Sequence, residues 1–310
     1  MKRSAHLIAL GLSLSVFTAC EVEFDFKELD GDPLFLLDGS IVTGSYDRGN
    51  GSLQMYLYAV PSAAGNRDFP EDARCTLNVY RNGELTDTKS EITIQTFYGL
   101  IAEHYPVEPG DEILVTAESG GFPTASARTV IPQSPPVLED VSFSLKDGIL
   151  NISFAIEDDA SSEDAYSFRF RTVTWNTLPE DDVTGYTFSL TYGSGDGYPI
   201  ADTGPFDVCW KDGETYYGIF DDSFNGMRKE FKVTAPFEMP SGNDDPYFRI
   251  EIQRISPERL RYETACADKG HNILGFIGLA PVTFAYTNVD NGAGCFSGGN
   301  SAYSDWQLAE

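Results

Sequence analysis

The chain has 310 residues, with 48 acidic against 21 basic side chains, for a net charge of −27. So negative a chain is repelled by nucleic acid and by anionic lipid headgroups, which excludes both as direct partners. Apolar residues at 41% and aromatics at 13% are those of a folded protein, not of a disordered acidic tail.

The first residues give the address. Lys2 and Arg3 precede an apolar run from His6 to Phe17, and the segment closes on Phe17-Thr18-Ala19-Cys20. A basic start, a short apolar core and small residues before a cleavage point make an export signal. The core is shorter than the ~20 apolar residues of a spanning helix. Because the segment ends on cysteine rather than on A-x-A, it resembles a lipoprotein signal. The expectation is a signal over 1–19, acyl chains on the Cys20 sulfur, and a protein tethered to a membrane by lipid alone. The other reading of Cys20 is an ordinary secretory signal with a chance cysteine. Glu21, Glu23, Asp25 and Glu28 follow, so 20–33 reads as an acidic tether. The signal holds two basic residues and no acids, leaving 19 basic and 48 acidic residues, about −29, over the remaining 291.

From Leu34 to Ile131 the pattern is short strands and turns. Leu53, Met55 and Leu57 alternate with Gln54, Tyr56 and Tyr58; Cys75, Leu77 and Val79 alternate with Thr76, Asn78 and Tyr80. A period of two sends one face to a core and the other outward. Asn82-Gly83 marks a hairpin, since both residues accept positive φ. Pro109-Gly110 and Ser119-Gly120-Gly121 turn the chain again. Strands at this spacing without a helical run predict an immunoglobulin-like β-sandwich over 34–131. Pro132, Pro135 and Pro136 then stiffen a linker over 132–136.

The remainder, 137–310, reads as a second β-rich domain. Leu150, Ile152, Phe154 and Ile156 alternate after a turn at Asp147-Gly148. Phe168 and Phe170 form a second strand, and Phe248, Ile250 and Ile252 a third. Ser256-Pro257-Glu258 supplies a cap residue, a first-turn proline and an early acid, which predicts one short helix over Pro257–Cys266. Residues 271–285 are apolar, but too short and too broken by Pro281 to span a membrane. Cys75, Cys209, Cys266 and Cys295 contain no C-x-x-C pair, against zinc ribbons and thioredoxin-like chemistry. An exported chain can oxidise them, and four cysteines allow three connectivities. Buried free thiols are the competing reading. Within the second domain Cys209 can pair with Cys266 or Cys295, and Cys266–Cys295 is the bond expected.

Three late stretches carry a family resemblance. They are Asp221-Asp222-Ser223-Phe224-Asn225-Gly226-Met227-Arg228-Lys229-Glu230-Phe231; Tyr247 to Glu258 with Arg261-Tyr262; and Tyr286-Thr287-Asn288-Val289-Asp290-Asn291-Gly292-Ala293-Gly294-Cys295-Phe296. With the cysteine-terminated signal, they resemble the Bacteroidota lipoproteins called domain of unknown function 4249. Cys295 stands where that family more usually has an aliphatic residue. The resemblance implies an outer-membrane lipoprotein, of a kind often found beside TonB-dependent transporters, and the acidic tract after Cys20 resembles those that send such lipoproteins to the cell surface. It implies no catalytic residues.

The candidate chemistry is sparse. After the signal the histidines are His104 and His271, and no H-E-x-x-H, G-x-S-x-G or P-loop occurs. A serine or cysteine nucleophile needs a base, and those two imidazoles are the whole supply. Gly193-Ser194-Gly195-Asp196-Gly197 lacks the strand-to-helix context of a phosphate loop. The acid pairs Asp158-Asp159, Asp181-Asp182, Asp221-Asp222 and Asp244-Asp245 read as solvated loop residues. Asp30-Gly31-Asp32 lacks the further acids of a calcium loop. No cofactor and no metal are expected. Tyr186, Tyr192, Tyr198, Tyr216 and Tyr217 are the candidate partner contacts, as aromatic loops that stack on sugars or grip a protein, with ordinary packing inside the sandwich the stronger reading for any one of them. The expected function is capture or docking beside a TonB-dependent transporter, without catalysis. The alternatives are a secreted carboxylate-dependent glycan hydrolase and a structural or adhesive surface protein.

Overall fold

The computed structural model describes residues 34–44, 51–60, 72–90, 92, 99–175, 178–180, 185–188, 207–211, 214–237, 245–270 and 286–310. The signal, Cys20, the tether, Tyr192, Tyr198, His271 and the 193–197 loop lie outside them.

The first half contributes β1 (Leu34–Thr43), β2 (Ser52–Val60), β3 (Arg74–Arg81), β4 (Glu84–Lys89), β5 (Leu100–His104), β6 (Glu112–Glu118) and β7 (Ala125–Val130). Then follow β8 (Val137–Lys146), β9 (Ile149–Glu157), β10 (Ala165–Trp175), β11 (Tyr186–Phe188), β12 (Asp207–Lys211), β13 (Glu214–Phe220), β14 (Arg228–Pro236) and β15 (Asp245–Ile255). The chain ends with helix α1 (Pro257–Gly270), β16 (Val289–Asp290), β17 (Gly292–Tyr303) and β18 (Gln307–Leu308). The fold is mainly β, with one α-helix among the described residues.

Alternation in the sequence places the cores. One long sheet runs β12-β13-β10-β15-β17-β1-β2-β5, with β11 beside β10 and β18 beside β15. A second sheet, β16-β7-β6-β3-β4, lies over one end of it, and a third, β14-β9-β8, over the other. Phe35 and Leu37 of β1, Met55 and Leu57 of β2, and Cys75, Leu77 and Val79 of β3 fill the first interior. The second is aromatic: Phe154 stacks on Phe231 at 5.0 Å between ring centres and meets Phe168 at 5.4 Å. The hairpin expected at Asn82-Gly83 forms, and the turn expected at Asp147-Gly148 is a hairpin turn too. Asn82-Gly83 has φ of 53° and 81°, and Asp147-Gly148 has 52° and 76°, the left-handed pair that a two-residue hairpin turn requires.

What joins the two halves is β17. It pairs in parallel with β1 and antiparallel with β15, so one strand seams the sheets of both sandwiches. The late residues Val289 and Phe296 thereby belong to the first core, and β16 adds to the edge of β7. The chain boundary at 132–136 therefore has the first sandwich completed from its far side by residues more than 150 positions later. The glycine richness of β17 has a steric reason. Gly294 sits at φ +102°, and a Cβ there would lie 2.1 Å from the Leu37 carbonyl oxygen.

Helix α1 starts where the cap signal put it and runs past Cys266 to Gly270. Arg259 N–H donates to the Ser256 carbonyl at 2.9 Å. Leu260 packs with Ala165, Tyr216 and Ile255. Gly218 on β13 admits it, since a Cβ there would meet Leu260 Cδ1 at 2.2 Å. Buried Arg259 pairs with Asp38 of β1 at 2.6 Å, pairs with Glu263, and donates to the Cys295 carbonyl at 3.3 Å. These contacts lock the helix to the β1–β17 seam. No described helix is long and apolar enough to cross a membrane.

Candidate functional site

The seam carries a cleft of about 810 Å³ between the two sandwiches. One wall is the end of β7 and the proline segment, from Arg128 to Ser134. The other is the 159–164 loop between β9 and β10, with Arg254 at the end of β15 and Ser256 to Glu258 at the start of α1. Tyr286 and Asn288 close one side.

The proline segment is held at both ends. Ile131 is buried in the first core, and its N–H donates to the Asp111 carbonyl at 2.9 Å. Asn300 of β17 donates to the Pro132 carbonyl at 3.0 Å, and Arg254 donates to Ser134 Oγ at 3.1 Å. Backbone groups that a stiff loop would leave unpaired are thus satisfied, and the cleft wall is fixed.

Behind the second wall lies a cluster of acids. Asp158 follows β9, Asp164 precedes β10, and Asp221 follows β13, so three strand ends converge. All three are buried, and one oxygen from each carboxylate lies within 4.8 Å of the others. Asp158 accepts from the Tyr166 hydroxyl and from Gly226 N–H at 2.7 Å. Asp164 accepts from Ser162 Oγ at 2.9 Å, and Asp221 accepts from Asp164 N–H at 2.7 Å. Arg254 brings the opposing charge: its Nε stands 3.5 Å from Asp164 Oδ2, and its Nη2 donates to Tyr166 at 3.2 Å. Burial pushes the Asp164 carboxyl above the usual range, with Arg254 pulling the other way. Burial also raises Asp221, and the neighbouring carboxylates reinforce it.

The residues expected at a site are scattered. Tyr216 and Tyr217 are packed inside the protein rather than displayed on a loop: they are 6% and 0% exposed on β13, Tyr217 in the aromatic core and Tyr216 under Leu260. The alternation of β13 is masked because both its faces are covered, one by the third sheet and one by α1. Tyr186 pairs opposite Thr172 on β10. The Cys266–Cys295 bond is not formed: Cys295 is a buried thiol on β17, while Cys266 is exposed on α1 beside Tyr262. Cys75 is a buried thiol, as its inward alternation predicts, and desolvation pushes both it and Cys295 up to about 12. His104 is exposed on β5. Two of the four acid pairs split: Asp158 and Asp221 turn in, Asp159 and Asp222 turn out, while Asp181, Asp182 and Asp244 lie outside the described residues. Adjacent aspartates carry no mark of that division in the sequence. The one available signal is that each inward Asp ends a strand.

A mainly-β protein of two sandwiches sharing one sheet, with a polar cleft at the seam, is the class that this architecture defines. The chain belongs to the family described as a domain of unknown function, DUF4249, whose model matches residues 23–304. No curated protein matches it. Among solved structures, one match comes from a study titled "Complete structure of manganese lipoxygenase of Gaeumannomyces graminis and partial structure of zonadhesin of Komagataella pastoris". It is 11% identical, covers 70% of this chain and 88% of that one, and has a TM-score of 0.21, too low to carry an argument about fold.

Proposed function

We propose that this protein is a lipid-anchored binding protein of the outer membrane that docks beside a TonB-dependent transporter, with the seam cleft as its ligand- or partner-binding site. The observation that carries this reading is the cleft itself. It has fixed walls, about 810 Å³ of space, and charged groups of both signs: Arg128, Glu112, Glu163, Glu258 and Arg254. A rigid polar recess costs little ordering on binding and selects by charge placement. The anchor reading rests on Lys2, Arg3 and the run ending at Cys20.

The test is co-purification from membranes solubilised in mild detergent. A tagged chain should bring down a barrel, and Glu258→Arg with Glu163→Arg should lose it while remaining folded and anchored. A purified soluble form that cleaves a glycan, with no barrel recovered, replaces this reading with the hydrolase.

A further inference from the structure

Three carboxylates in one buried pocket face a single arginine. Asp158, Asp164 and Asp221 are 8%, 6% and 1% exposed. With all three ionised and Arg254 charged, the pocket carries a net charge of −2, and only its cleft side, at Asp164, meets water that could screen it. A second observation points to a missing positive group. Asp221 uses one oxygen to accept from Asp164 N–H; its Oδ1 is buried and accepts no hydrogen bond. A buried carboxylate oxygen without a donor is costly, and this carboxylate is turned toward the other two.

We propose that Asp158, Asp164 and Asp221 form a binding site for a hard divalent cation, calcium by size, that ties the ends of β9, β10 and β13 together. Calcium takes six to eight oxygens at roughly 2.3–2.6 Å, so two oxygens on one ion stand at most about 5 Å apart. The observed spread, within 4.8 Å, falls inside that bound. An all-oxygen set without nitrogen or sulfur suits calcium or magnesium rather than zinc or copper. Magnesium holds its oxygens at ~2.0–2.1 Å, which caps their separation near 4.2 Å and demands a tighter octahedron. Three acids do not complete a calcium shell. Asp164 and Ser162 also line the cleft, so water has access for the remaining positions. Tyr166 and Gly226 N–H already hold Asp158 in place, and Ser162 holds Asp164, the outer support that a metal ligand needs.

The test uses the full mature chain, stripped with EDTA and reloaded with calcium. At calcium about a hundredfold above its Kd, the melting temperature should rise by roughly 5 °C, from mass action on a chain of this size. Terbium is the second probe, since it takes calcium sites and is excited through a neighbouring tyrosine. Tyr166, bonded to Asp158, should sensitise its emission. Tyr166→Phe should lose most of that emission and keep the calcium-induced rise. Asp221→Asn should lose both, and Asp159→Asn, on the exposed side of its pair, should lose neither. No rise with calcium and no sensitised emission overturn the proposal. So does emission that persists unchanged in Tyr166→Phe, which would place the ion elsewhere, and that variant keeps the core packing if Asp221→Asn does not fold.

Discussion

Replacing Gly294 by alanine tests whether β17 holds the two sandwiches as one unit. The new Cβ would sit 2.1 Å from the Leu37 carbonyl oxygen and 2.7 Å from its carbon. Both are backbone atoms, so no side-chain rotation relieves the clash and the β1–β17 ladder must open locally. A non-glycine residue at φ +102° adds roughly 1–2 kcal/mol of its own. Losing about two ladder hydrogen bonds at roughly 1 kcal/mol each brings the total to about 3–4 kcal/mol. With a urea m-value near 3 kcal/mol/M, the midpoint should fall by about 1 M or more. Two local probes follow the unfolding. Alkylation of Cys75, mapped by peptide, reports the first core; Trp306 fluorescence, read in a background with Trp175 and Trp210 replaced by phenylalanine, reports the second sandwich, where Arg249 stacks on the indole at 4.6 Å. Both transitions should move together. An unchanged midpoint, or exposure of Cys75 while Trp306 keeps its native signal, refutes the seam.

Asp111→Ala should cost about 2 kcal/mol, because Asp111 is 1% exposed, is paired in bidentate fashion with Arg81 at 2.8 and 2.9 Å, and accepts from Glu108 N–H; partial exposure of Arg81 trims the figure. The hydrogen bond from Arg81 holds the Asp111 carboxyl below its ordinary value, so its stabilisation is present above about pH 4 and lost as pH falls through the lower folded value. The variant should therefore show a flatter acid limb in a stability–pH titration. Asp164 and Asp221 are raised and have the opposite sign: in EDTA their contribution is greatest below about pH 4 and fades as pH rises through their folded values, a trend that calcium should reverse in the same titration. Native-state alkylation at pH 8 should label Cys266 and spare Cys75 and Cys295; labelling of Cys75 ahead of Cys266 contradicts the described cores. Cys20→Ser should abolish incorporation of an alkyne-palmitate analogue and release the protein from the membrane fraction, whereas continued labelling and pelleting contradict the anchor.

Strand content was legible because burial leaves a period-two trace: Leu53, Met55 and Leu57, or Phe248, Ile250 and Ile252, can be read without any partner in view. Asn82-Gly83 and the first-turn Pro257 were legible for the same local reason, since backbone geometry at a turn or helix start selects residue type; Ser256 marks the start by position alone, its Oγ making no cap bond. The seam was not. GAGCFSGG in β17 has little side chain to alternate, and its pairing with β1 spans more than 250 residues, a contact that no local pattern encodes. The acid pocket was hidden likewise. Asp158 and Asp221 look like half of a solvated pair, and only the meeting of strand ends from two sheets separates the buried member from the exposed one. Tyr216-Tyr217 reads ambiguously because a strand covered on both faces shows no alternation, so a buried aromatic pair looks the same in sequence as an exposed aromatic loop.

The central claim is that the seam cleft is where this protein meets its partner. Site-specific photo-crosslinking in intact cells tests it most directly, with the reactive residue placed at Glu258 on the cleft wall and, as a control, at Glu84 on the exposed edge strand β4. Position 258 should give a crosslinked adduct that contains an outer-membrane barrel, and position 84 none. Adducts from position 84 with none from 258 would contradict it.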